Sequence, residues 1–127
     1  MYSHGFIKVA AASPVIKTGN PKANAEEILK VLVDMKQKQV DFVVFPELTL
    51  SGQCANDLYY QDYLYQECLD SLEYILENND YKGVSIIGSF FVVEDRIINC
   101  AVVIQDNEIL GNVPKSYICN NKSNNQC

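Results

Sequence analysis

Two apolar runs in this sequence stop at a proline that is followed at once by a charge. In "VVFPELTLSG" the charge is Glu47, and in "EILGNVPKSY" it is Lys115. Proline holds its own φ at about −65° and pushes the residue before it into extended backbone. Each charge therefore leaves its strand end in a defined direction. Strands of α/β folds deliver functional groups to the crevice at their carboxyl ends. A carboxylate placed there can act as a general base, and a lysine can hold a developing oxyanion. Each also has a plainer reading, an ordinary solvated charge, which spacing alone favours. The repeated layout of strand, proline and charge strengthens both candidates.

A nucleophile for such a pair is harder to find. The five cysteines are Cys54, Cys68, Cys100, Cys119 and Cys127. Cys54 lies in the loop after Glu47, with no base or positive charge close in sequence to make a thiolate, and reads as a bystander. The chain has no CxxC pair and a single histidine, His4, near the N-terminus, where a surface or subunit-contact role is the plainer reading. This argues against a zinc site and for free thiols, some of them core packing residues. Tyr59, Tyr60, Tyr63 and Tyr65 cluster near a helix start and read as packing or contact residues, not as a stacking platform for bases.

The elements that must position these residues are legible from periodicity. "FIKVAAAS" (6–13) has a strand's length and is closed by Pro14. A helix follows, with Asn20 as its cap, Pro21 at its first position, and Glu26 and Glu27 toward the positive helix start. Ala25, Ile28, Leu29, Leu32 and Met35 form its buried stripe. "DFVVF" (41–45) is a short buried strand, so strand, helix and strand make a crossover unit with parallel strands. A second helix is predicted over 58–78, with Leu64, Cys68, Leu69, Leu72, Ile75 and Leu76 on its apolar face. Three strands follow, at 84–93, 96–105 and 108–113, turning at Glu94-Asp95 and at Asp106-Asn107, the better hairpin signal. The run "AVVI" suggests a strand covered on both faces. The last stretch, "CNNKSNNQC", has no apolar periodicity and reads as a poorly ordered tail.

Composition bounds the function classes. With 127 residues, 48% of them hydrophobic and 20% charged, the chain can build one domain with a real core. A formal charge of −6 and the lack of a basic cluster argue against nucleic acid and anionic membranes as partners. No signal peptide is recognisable, and no apolar run approaches the ~18 residues of a membrane span. A cytoplasmic location is expected.

"FPELTLSG", preceded by a helix and followed by "NDLYYQ" and then "INCAVVIQDNEILGNVPKSY", resembles the nitrilase superfamily. "HGFIKVAAASP" and "NPKANAEEIL" narrow the resemblance to the N-terminal glutaminase domains of glutamine-dependent NAD synthetases. The resemblance implies an α/β fold, part of a nitrilase-like α-β-β-α sandwich. It implies that Glu47 is the general base and that Lys115 stabilises the tetrahedral intermediate. The third member of such a site is a cysteine that attacks the side-chain amide of glutamine and releases ammonia. In the synthetases that ammonia goes to a separate domain, which amidates nicotinic acid adenine dinucleotide to NAD.

The resemblance covers residues 2 to about 118. Beyond it, Cys119 stands where the family has a proline; within it, Gln53 stands where the family often has an aromatic residue. The family's nucleophile lies well downstream of the lysine, and neither Cys119 nor Cys127 has its strand-end setting. Residues 1–118 are therefore expected to be the N-terminal part of a glutaminase domain and 119–127 a divergent tail. The nucleophile is expected to be absent from the chain, which by itself would be inactive and would expose sheet faces and edges. No cofactor is expected in this segment, with ATP and magnesium belonging to the synthetase domain. Glutamine is the implied substrate of the parent domain, and a homo-oligomer is implied for the full-length parent. Two alternatives stand beside this: another nitrilase-type amidase, or a non-catalytic interaction module.

Overall fold

The computed structural model describes residues 5–52, 61–94 and 96–114. Its elements run β1 (Val9–Ala11), α1 (Pro21–Gln37), β2 (Phe42–Val44), α2 (Gln61–Asn78), β3 (Val84–Val93), β4 (Arg96–Gln105) and β5 (Glu108–Pro114). They form one five-stranded sheet in the order β1-β2-β3-β4-β5. β1, β2 and β3 are parallel, as the crossover pattern predicts, and β4 and β5 continue antiparallel through two tight turns. With the two helices they make a mixed α/β arrangement, the fold class expected from the sequence.

The first strand is shorter than 6–13. Its partner β2 offers only Phe42, Val43 and Val44, so the ladder runs from Val9 to Ala11. One further bond, from Ala12 N to Val44 O at 2.9 Å, closes it. Helix α1 starts where Asn20 and Pro21 place it, and the Asn20 side chain accepts from Ala23 N at 3.2 Å. Glu26 and Glu27 do not serve the helix start, because they lie past the first turn, where the dipole has faded. Glu26 instead accepts from the Tyr74 hydroxyl at 2.6 Å, tying α1 to α2, and Glu27 pairs with Lys30 at 3.1 Å.

The core lies between the helices and one sheet face. Ala25, Ile28, Leu32 and Met35 of α1 and Cys68, Leu72 and Ile75 of α2 bury against Val43, Ile87, Val102 and Ile104. Burial of such a set is the main favourable term in folding. Both hairpins turn on a residue with positive φ, Glu94 (51°) and Asp106 (58°), the geometry that suits the right-handed twist of paired strands. The second hairpin is also tied to the end of α2. Asn79 donates to Asp106 O at 2.6 Å, and Asn107 donates to Leu76 O.

Of the run "AVVI", Val102 and Ile104 are fully buried beneath the helices, while Ala101 and Val103 are only half-buried on the opposite face. That second face also carries Val9, Val44, Ile97 and Val113, all exposed. Among the described residues it has no helix over it.

Candidate active site

The peptide carrying Glu47 leaves β2 and crosses over β3. Phe45 N bonds to Ile86 O at 2.8 Å, and Leu50 N bonds to Gly88 O at 3.1 Å. Between those two anchors the chain turns at Leu48, whose φ is 56°. Leu48, Thr49, Leu50 and Ser51 are buried, leaving Pro46 and Glu47 exposed. The turn rests directly on Gly88. A Cβ there would collide with Pro46 O and would stand 2.5 Å from Leu48 N and 2.9 Å from the Glu47 carbonyl carbon. Only glycine lets two backbones approach this closely.

A second clamp comes from the segment before α1. The fully buried Asn24 donates to Lys17 O and Leu50 O, both at 2.8 Å, and accepts from Lys17 N at 2.7 Å. Gly19 N bonds to Ser51 O at 2.8 Å. Gly52 has φ +83°, and its α-carbon faces Thr18 so closely that a Cβ would stand 2.6 Å from Thr18 Cα. Glu47 therefore sits on a turn held from both sides, at the carboxyl end of a parallel strand. The side chain of Asn99, on β4, reaches the carboxylate: its Nδ2 donates to Oε2 at 2.8 Å.

The other candidates sort as follows. Lys115, Cys54, His4, Tyr59, Tyr60, Cys119, Cys127 and the 119–127 tail lie outside the described residues. The strand that leads to position 115 is described as far as Pro114, which pairs with Cys100, the neighbour of Asn99. Tyr63 is exposed, and Tyr65 packs on Phe90 and Phe91 with ring centroids 5.7 and 6.4 Å away, a packing role.

Neither described cysteine suits nucleophilic work. Cys68 is buried on the inner face of α2, and desolvation pushes its thiol up to about 12, with the Ser89 hydroxyl lowering it and the charge of Glu67 raising it. Burial also raises Cys100. Cys100 lies in register with Ser89, on the helix-covered side of the sheet, whereas its neighbour Asn99 faces the other way. At pH 8 Cys68 then holds roughly a thousandfold less thiolate than an ordinary thiol. Iodoacetamide applied to the folded chain should leave Cys68 unmodified and should label it after denaturation, as read by peptide mass spectrometry. Labelling in the folded chain at the denatured rate would contradict this packing.

Gly88, Asn24 and Asn99 are not evident as site residues from the sequence. Asn24 has a signal: it continues the stripe of Ile28 and Leu32 one turn toward the N-terminus, a polar residue at a core position. Asn99 has one too, being an amide inside the apolar strand "RIINCAVVIQ".

Known structures share this fold. Glutamine-dependent NAD+ synthetase from Acinetobacter baumannii superposes with a TM-score of 0.80 at 27% identity, over 92% of this chain and 22% of that one. An amidase from Nesterenkonia sp. superposes with a TM-score of 0.70 at 13% identity, over 88% of this chain and 43% of that one, a likeness of fold alone. The fold is thus of the nitrilase type.

In sequence, the carbon-nitrogen hydrolase family matches residues 8–125. Glutamine-dependent NAD(+) synthetases from Mycobacterium tuberculosis and Mycobacterium leprae are 39% and 37% identical over 118 residues, which is 92% of this chain. This chain belongs to the carbon-nitrogen hydrolase family. It spans 17% of the length of those mycobacterial relatives.

Proposed function

We propose that this chain supplies the first part of a glutamine amidohydrolase site, with Glu47 as general base and Lys115 as the group that stabilises the tetrahedral intermediate. The observation that carries the reading is the Glu47 turn. A carboxylate stands at the carboxyl end of β2, on a peptide clamped by Gly88 and Asn24, in a chain 39% identical to glutamine-dependent NAD(+) synthetases. A glutamate so held takes the proton of a cysteine thiol as the sulfur attacks the amide carbon of glutamine. Charge then develops on the carbonyl oxygen, where a lysine ammonium is worth most. The same carboxyl returns the proton to the departing nitrogen, ammonia leaves, and water hydrolyses the thioester to glutamate. In the wider proposal that ammonia amidates nicotinic acid adenine dinucleotide to NAD in an ATP- and magnesium-dependent domain.

Neither Cys68 nor Cys100 suits the part of the thiol. Cys54 reads as a bystander and the resemblance places the nucleophile well downstream of Lys115, so the 127 residues by themselves are proposed to be inactive. Ammonia release from glutamine and from small aliphatic amides, measured for the 127-residue chain and for the gene's full-length product, tests the reading. The expected result is glutamine hydrolysis by the full-length product alone. Preference for small amides would favour a plain amidase, and brisk glutamine hydrolysis by the 127 residues would overturn the assignment of parts.

A further inference from the structure

We infer that Asn99 is the positioning residue for the Glu47 carboxylate, an inference that rests on reading Glu47 as the general base. The clamped turn fixes the backbone of Glu47, but three side-chain torsions still separate that backbone from the carboxylate. The bond from Asn99 Nδ2 to Glu47 Oε2 at 2.8 Å restricts that freedom. Its donor stands on rigid ground. Asn99 sits inside the ten-residue strand β4 opposite Phe90, two positions from Ala101, the partner of Gly88 on which the Glu47 turn rests. Donor and turn are thus registered to the same stretch of β3.

The residue type suits the task. A neutral amide donates a charge-assisted hydrogen bond to a carboxylate without competing for its proton. The carboxylate in turn settles which way the amide points, since only the nitrogen can donate. The strand itself gives asparagine no reason to be there. Asparagine is depleted in strands, and Ile97, Ile98, Cys100 and Ala101 surround this one. A valine would pair better with the sheet, so the amide answers to Glu47.

The test follows the Glu47 carboxyl itself. In the 127-residue chain labelled with 13C-glutamate, the signal absent from Glu47→Gln identifies Glu47. Asn99 stabilises the ionised form, so the Glu47 titration midpoint should move upward in Asn99→Ala. It should move further upward in the isosteric Asn99→Asp, where a like charge faces it. The urea midpoint of Asn99→Asp at neutral pH reports whether the sheet is retained. In the gene's full-length product, Asn99→Ala should lower kcat about tenfold with KM within twofold, and the acidic limb of the pH–rate profile should move in the same direction as the titration.

Identical Glu47 titration in wild type and Asn99→Ala overturns the inference, and so does an unchanged kcat beside a shifted titration. Failure of the underlying reading shows elsewhere: a Glu47→Gln product that still hydrolyses glutamine at the wild-type rate removes the base, and with it the role given to Asn99.

Discussion

Replacing Gly88 by alanine should cost this fold about 3 kcal/mol, at the upper end of ordinary overpacking. The new methyl would collide with Pro46 O and press on Leu48 N, so both groups it meets are backbone, with no flexible side chain to swing aside. The turn cannot simply lift. Leu50 N is bonded to Gly88 O itself, and Leu50 O is held by the buried Asn24. Relief on one side breaks a hydrogen bond on the other and leaves a buried polar group unpaired, which is costly in its own right. Urea unfolding of the 127-residue chain measures the effect, with the m-value showing whether the unfolding reaction is the same one. A change below about 1 kcal/mol would mean that the turn floats on β3, and the clamp described for Glu47 would be wrong.

That clamp marks the limit of what the sequence could say. Elements with strong local signals were legible almost to the residue. α1 begins at its asparagine cap and its proline, and β3 and β4 fill 84–93 and 96–105, because turn chemistry and periodicity both act over a few neighbours. The first strand is shorter than its apolar run because its length is set by β2, a partner more than thirty residues away. Glu26 and Glu27 lie past the first turn, where the helix dipole has faded, and meet Tyr74 and Lys30 instead.

Within the site, Glu47 stood out through Pro46. Gly88, Asn24 and Asn99 did not, because each acts on a segment distant in sequence: Gly88 on the Pro46–Leu48 turn, Asn24 on Leu50, Asn99 on Glu47. Periodicity sees which face a residue occupies; it does not see what crosses that face. An amide in an apolar strand and a polar residue in a buried stripe are the traces such contacts leave.

Glu47→Gln in the full-length product should reduce glutamine hydrolysis by roughly a hundred- to ten-thousandfold, the usual worth of a positioned general base. The substitution is close to isosteric, and the amide oxygen of glutamine can still accept from Asn99. The clamps at Gly88 and Asn24 do not use the Glu47 carboxylate, and the bond from Asn99 is kept, so unfolding by urea should be unchanged within about 0.5 kcal/mol. Activity and stability then separate, which they would not do for a merely structural glutamate. Glu47→Asp sharpens the point. It keeps a base of similar strength but withdraws it by one methylene, out of reach of Asn99. If proton transfer needs the carboxylate where Asn99 holds it, aspartate should lose most of the rate despite its charge. Should Glu47→Asp retain near wild-type turnover while Glu47→Gln does not, the base would be real but its placement unimportant. Should both retain it, the proton of the attacking thiol would have to go to another group.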